Sequence, residues 1–279
     1  VAKTKTGTRV RYWPDRQIFE KGAEFAPSEL EGRLRQTAFL VPGLALHIQD
    51  EISGVSQDFC FEGGIQEYVE HLSTDGAVLA TRRLQKVSKF KETVPVLDEK
   101  TGTMASKEVE RECLVDIAVR WGTGYDTKVR SFVNIISTPK GGTHLTGFEQ
   151  GLLKSFRAAI EATARKFKAT GLKIERDDVM AGLTAVVSVS FPEPQFEGQT
   201  KETLGTPAIK AIVNGAITDW ADELLSGKIR GTKVEVDLLL DKVVSEAKTR
   251  ISARSLKDTQ RRKNALESSS LPSKLVDCR

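Results

Sequence analysis

The chain has few of the residues from which covalent or metal-held folds are built. Its 279 residues include three cysteines (Cys60, Cys113 and Cys278), far apart and in no CxxC pair. A disulfide framework or zinc ribbon is therefore not expected, and free thiols in a reducing compartment are. The three histidines (His47, His71, His144) show no HxxxH spacing, so no transition-metal site is expected. Long apolar runs are missing too. The longest, Ala38 to Ile48, is cut by Pro42-Gly43 and contains His47, far short of a membrane span. No basic-then-apolar leader opens the sequence, and the expectation is a soluble cytoplasmic protein with no membrane partner. Nor is there a large surplus of charge. A net +4, with 29% charged residues, excludes a histone-like polycation but leaves room for a local basic face.

The length suggests two domains. Thr8, Val10 and Tyr12 alternate with Arg9, Arg11 and Trp13, which predicts a strand near the start. A strand so close to one end, and a last segment without a terminating helix, suggest a piece of a longer protein. Ser28 and Glu31 read as a capping box opening a helix that Pro42-Gly43 stops. Leu44 to Ile48 and Phe59 to Phe61 read as a strand pair, and Ile65 to Leu72 as a short helix. From 73 to 112 the chain reads as charged and turn-rich, with Asp98 to Gly102 as a hairpin loop. Cys113, Val115, Ile117 and Val119 alternate, with Val129 to Ile136 expected as the partner strand. A helix is expected over His144–Lys168. Leu183 to Phe191 is a near-continuous apolar run, as in a central strand buried on both faces. Helices over Pro207–Leu225 and, unusually long, Val234–Leu266 complete an α+β or α/β plan.

Between the apolar strand and the next helix lies Pro192-Glu193-Pro194-Gln195-Phe196-Glu197-Gly198-Gln199-Thr200-Lys201. Its prolines and glycine suggest an ordered projecting loop, tipped by an amide, a hydroxyl and an ammonium that can bind a phosphate. On these residues alone it also reads as a solvated loop with an incidental lysine. On the long helix, Arg250, Arg254, Lys257 and Arg261 fall on one stripe beside Leu240, Val244, Ala247 and Ile251. That stripe is either a solvated flank or a surface for nucleic-acid phosphates. Gly141-Gly142 before a helix suggests a packed turn more than an anion nest, and His144, without an acidic partner nearby, reads as structural.

Several segments occur together in the order of a known family: Arg9 to Phe19, Phe61 to Ile65, Gly141 to Phe148, Gly182 to Val189, Glu193 to Lys201, and Arg261 to Leu266 running on to Leu271 through Leu275. In these the chain resembles the B-type subunit of bacterial type IIA topoisomerases, meaning gyrase B and its topoisomerase IV counterpart. Glu267 to Ser270 and the charged insert at 80–112 look most like the actinobacterial topoisomerase IV type. The resemblance implies the end of a GHKL ATPase sandwich (1–66), a left-handed β-α-β transducer domain (67–232), and a long helix and linker (233–279) leading to a TOPRIM domain. It implies that Gly7 and Thr8 line the ATP pocket, and that Gln199 and the catalytic Lys201 reach the γ-phosphate. Arg250, Arg254, Lys257, Arg261 and Lys274 would contact DNA. The expected function is ATP-dependent strand passage on DNA, with an A-type subunit as partner and dimerisation of the B-type chains on ATP binding. ATP and Mg²⁺ are the implied cofactors, but the family's general base, Mg²⁺ ligand and TOPRIM acids match nothing in this chain, so the segment alone is expected to be inactive. A MutL-like mismatch-repair clamp is the alternative, and a nucleic-acid-binding protein without ATP chemistry a third.

Overall fold

The structure, a computed structural model, describes residues 8–15, 17–20, 22–23, 26–97 and 104–268. The chain divides into two compact units, Val1–Phe61 and Glu62–Arg279. In the first unit, helix α1 (Pro27–Leu40) precedes a two-stranded antiparallel sheet of β1 (Leu46–Gln49) and β2 (Ser56–Phe59). The capping box expected at Ser28 does not form. Ala26 takes the N-cap without a side-chain hydrogen bond, and Pro27 starts the helix at a position where its missing N–H matters least. Ala38, Phe39 and Phe59 form the small core, with Phe39 stacked on Phe61 at 3.7 Å. The strand expected at 8–13 is not formed. Its alternation is real, but a strand also needs a ladder, and among the described residues β1 and β2 pair only with each other; Val10 and Trp13 stay exposed.

In the second unit, α2 (Ile65–Leu72) leads into a five-stranded mixed sheet of order β3-β4-β7-β5-β6. Its strands are β3 (Ala77–Leu97), β4 (Met104–Gly122), β5 (Lys128–Val133), β6 (Ile136–Ser137) and β7 (Leu183–Ser190). Helices α3 (Thr143–Ala162), α4 (Arg176–Met180), α5 (Pro207–Leu225) and α6 (Lys233–Ser268) complete the unit. The apolar run becomes β7, antiparallel to β4 and parallel to β5. Val129 to Ile136 is thus not the partner of β4. The most apolar strand inserts between them, because Leu183 to Val187 is buried throughout and needs neighbours on both edges. The chain from β5 through α3 to β7 is a β-α-β crossover.

The region 73–112 is also not turn-rich. β3 and β4 form one long antiparallel ribbon: its inner part buries Leu79, Leu84, Val115, Ile117 and Val119 in the core, and cross-strand charge pairs such as Lys91–Glu108 (3.0 Å) and Arg83–Asp116 (2.7 Å) line its other positions. The loop expected at Asp98 to Gly102 lies outside the described residues. α3 ends at Ala162 rather than Lys168, and turns follow it.

Helices α3 and α5 lie against each other with α6 in the same core: Phe148, Leu152 and Phe156 meet Ile209, Val213 and Ile217, and Val236, Leu239, Leu240 and Val243 complete it. The close approach of α3 to α5 needs glycine. A Cβ on Gly147 would stand 2.4 Å from the Lys210 carbonyl oxygen, and one on Gly151 would stand 2.1 Å from Ile217. Gly215, by contrast, faces open space. Gly147→Ala should destabilise the protein by about 1–3 kcal/mol, since backbone cannot rotate away. Gly215→Ala should stabilise it by about 0.5–1 kcal/mol. Urea midpoints of the two variants check both signs.

Candidate functional site

The loop between β7 and α5 is built as a stalk. The Gln195 N–H donates to Thr206 Oγ1 (3.0 Å), the Gly205 N–H to the Gln195 carbonyl (2.8 Å), and the Glu197 N–H to the Thr203 carbonyl (2.9 Å). Its returning limb is bonded to the turn that opens α3. The Leu204 N–H donates to the Gly141 carbonyl and the Thr143 N–H to the Leu204 carbonyl, each at 3.0 Å. Leu204 is fully buried there. Gly142 sits at φ +132°, and any Cβ on it would meet the Leu204 backbone at 2.4 Å, so the expected packed turn is what forms. The loop therefore has a fixed base.

Its tip is open. Gln199, Thr200 and Lys201 are all exposed, and Lys201 holds a left-handed backbone at φ +57°. The adjacent carboxylate, Glu202, is engaged by Lys140 (2.7 Å) and by the Thr200 hydroxyl (3.2 Å). The Lys140 ammonium lowers the Glu202 pKa below the ordinary carboxylate range. Lys201 itself forms no ion pair among the described residues, so its ammonium and the Gln199 amide are available to an outside anion. Sequence reasoning finds the tip but misses Lys140 and Glu202; their opposite charges lie 62 positions apart with no pattern linking them.

Thr8 belongs to the first unit, exposed and outside any regular element, and Gly7 lies outside the described residues. No group of three or more His, Cys, Asp or Glu is gathered for a metal ion among the described residues, and none of them is assigned to Mg²⁺.

The basic stripe of α6 divides in two. Arg250 pairs with the buried Asp178 (2.8 Å) and with Glu175 (3.0 Å), and Arg254 also takes Glu175 (2.9 Å). These carboxylates cap α4, where the Glu175 N–H donates to Asp178 Oδ2 at 2.8 Å. The guanidinium of Arg254 holds the Glu175 carboxyl below its usual pKa. Arg250 thus ties α6 to the core. Lys257 and Arg261 are exposed and form no ion pair among the described residues. Leu240, Val244 and Ala247 are buried as expected, whereas Ile251 is 41% exposed, where the helix leaves the core. Lys274 lies outside the described residues.

His144, near the start of α3, is fully buried. Its Nε2 meets Thr138 Oγ1 at 3.2 Å, its Nδ1 has no partner, and burial pushes its pKa down to about 4. It is neutral and structural.

The DNA gyrase B family matches residues 64–259. The chain is similar to the DNA gyrase B protein of Thermotoga maritima, 37% identical over 274 residues, covering 98% of this chain and 40% of that protein. It is 34% identical to the DNA gyrase B protein of Borrelia hermsii, covering 98% of this chain and 39% of that protein. It thus spans about two fifths of the length of these curated relatives. Among solved structures it resembles the 43K ATPase domain of Thermus thermophilus gyrase B, crystallised with an aminocoumarin, at TM-score 0.64 and 26% identity, over 88% of this chain and 59% of that one. It also resembles the topoisomerase IV ATP-binding domain of Francisella tularensis at TM-score 0.61 and 25% identity, over 86% of this chain and 57% of that one.

Because His144 is harder to protonate folded than unfolded, the unfolded state takes up a proton as pH falls below about 6.5, and stability falls with it until about pH 4. Between pH 7 and 5 this single group should remove about 2 kcal/mol. Urea unfolding at both pH values should show that loss in the wild type, and a smaller loss in His144→Gln by roughly the same amount.

Proposed function

The chain belongs to the DNA gyrase B family, and we propose that it is the stretch of an ATP-dependent type II topoisomerase, in its B-type chain, that senses the terminal phosphate of ATP. In this reading, residues 1–66 finish the ATPase region, 67–232 form the transducer and 233–279 lead onward. The observation that carries it is the exposed Lys201 ammonium on a stalk whose base is bonded to α3. An ammonium, an amide and a hydroxyl suit a phosphate oxygen, so the residues present fit a nucleoside triphosphate. Gly7 and Thr8 would lie on its adenine side. Mg²⁺ would be held by residues the family resemblance places outside this chain.

Only a triphosphate has a terminal group for Lys201 to reach. A charge-assisted hydrogen bond there contributes about 1.5–3 kcal/mol. That suffices to shift a two-state equilibrium about 10- to 150-fold toward the engaged arrangement, and to release it when the phosphate leaves. Because the loop is bonded to the start of α3, engagement acts on the α3–α5 layer and on α6 packed with it. Lys257 and Arg261 would touch transported DNA by its phosphates, without reading sequence. The working protein would be a dimer of B-type chains, closed on ATP, joined to an A-type subunit and acting in the cytoplasm on the nucleoid. The family match supports this over a MutL-like repair clamp. The charged insert at 80–112 and the wording of Glu267 to Ser270 support the topoisomerase IV type of B subunit within that family.

In the full-length protein, Lys201→Ala should lower ATP turnover by about 10²–10³-fold while nucleotide binding persists; near-normal turnover in a steady-state assay refutes the assignment. Replacing Lys257 and Arg261 together by Ala should flatten the log–log salt dependence of DNA binding by about 1.8. Arg250→Ala should instead lower the melting temperature, because it frees the buried Asp178.

A further inference from the structure

β3 and β4 continue as a two-stranded ribbon beyond the end of β7, whose last partner on β4 is Leu114. Within that ribbon Phe90 and Arg111 stand opposite each other across the strands. Both reach the root of the Lys201 loop. Phe90 meets Phe191 edge to face, with ring centroids 6.1 Å apart at 78°, and both rings are buried. Arg111 contacts the Glu193 carboxylate through Nη2, and its Nε lies 2.8 Å from Glu92, too far off line to donate a hydrogen bond. The Arg111 side chain is only 10% exposed, so its charge is committed to these two carboxylates.

Glu193 needs holding. It lies between Pro192 and Pro194 in a left-handed backbone at φ +54°, a conformation that disfavours any residue with a side chain. Just before it, at the end of β7, Asn134 donates from Nδ2 to the Phe191 carbonyl and accepts the Phe191 N–H at Oδ1, at 2.8 and 2.9 Å. The loop has two roots. The Gly141–Thr143 turn fixes the returning one through Leu204. Asn134 holds the outgoing root at Phe191 and the ribbon holds it again at Glu193, so a loss of hold at Glu193 is felt most at Lys201, the far end of the stalk.

We propose that the β3–β4 ribbon is a positioning device for the loop, with Phe90 and Arg111 clamping its outgoing root at Phe191 and Glu193 and so setting where the Lys201 ammonium stands. Arg111 and Glu193 are positioning residues, touching no nucleotide themselves. The proposal rests on the reading of Lys201 as a phosphate contact. It gives the charged insert at 80–112 a task, since Phe90 and Arg111 both lie within it.

The test uses the full-length protein in steady-state ATP hydrolysis, with ADP affinity measured by calorimetry. Glu193 projects outward, so Glu193→Ala leaves folding intact even where Arg111→Ala does not. Each single variant should lose about 10- to 100-fold in kcat, the range expected for a misplacement near 1 Å, with ADP affinity within about twofold of wild type. The double variant should be no worse than the weaker single, because the two side chains act as a pair. Unchanged kcat in Glu193→Ala, with Lys201→Ala strongly impaired, overturns the clamp and leaves the phosphate reading standing. Losses that multiply in the double variant overturn the pairing. Full kcat in Lys201→Ala removes the phosphate reading and the clamp with it.

Discussion

The backbone bonding between the Gly141–Thr143 turn and Leu204 fixes the loop, and with it everything the loop can do. Two amide hydrogen bonds at 3.0 Å, a glycine with no room for a Cβ and a fully buried leucine turn a flexible connection into a strut. Because Gly142 immediately precedes α3, a force on the loop tip enters a helix and not a hinge. That helix is pressed to α5 through Gly147 and Gly151, so the layer has little freedom to absorb a displacement locally.

The long helix shows how one residue type serves two ends. Arg250 lies where α6 is still packed, and Asp178, only 3% exposed, commits it to the core. A turn later Arg254 shares Glu175 but is mostly exposed, and beyond it Lys257 and Arg261 face solvent. The stripe therefore grades from structural charge to free charge along a single face. The same division recurs at the loop, where Lys140 occupies Glu202 and leaves Lys201 unquenched.

Much of this is legible in the sequence where apolar periodicity is strong. β7, α5 and α6 emerge nearly at the expected bounds, since β7 and α5 bury a continuous face and α6 does so as far as Ala247. The β3–β4 ribbon is only half legible: Cys113, Val115, Ile117 and Val119 alternate at the inner end of β4, while the outer ribbon is matched by charge across the ladder and shows little apolar alternation. The strand pairing of β5 is hidden for a related reason: neighbours in sequence suggest neighbours in the sheet, while the burial demand of β7 sets the order. The loop tip Gln199-Thr200-Lys201 can be found from residue types alone. Its supports cannot, since Arg111 and Glu193 are 82 positions apart, and Arg250 and Asp178 are 72. Pairs so distant leave no local spacing to read.

The central claim is that Lys201 stands against the terminal phosphate when a nucleoside triphosphate is bound. The direct measurement is a structure of the full-length protein trapped with a non-hydrolysable ATP analogue. The Lys201 Nζ should lie about 2.7–2.9 Å from a γ-phosphate oxygen, the range of a charge-assisted hydrogen bond. An ammonium turned to bulk solvent in that complex, with the γ-phosphate held wholly by other groups, would contradict it.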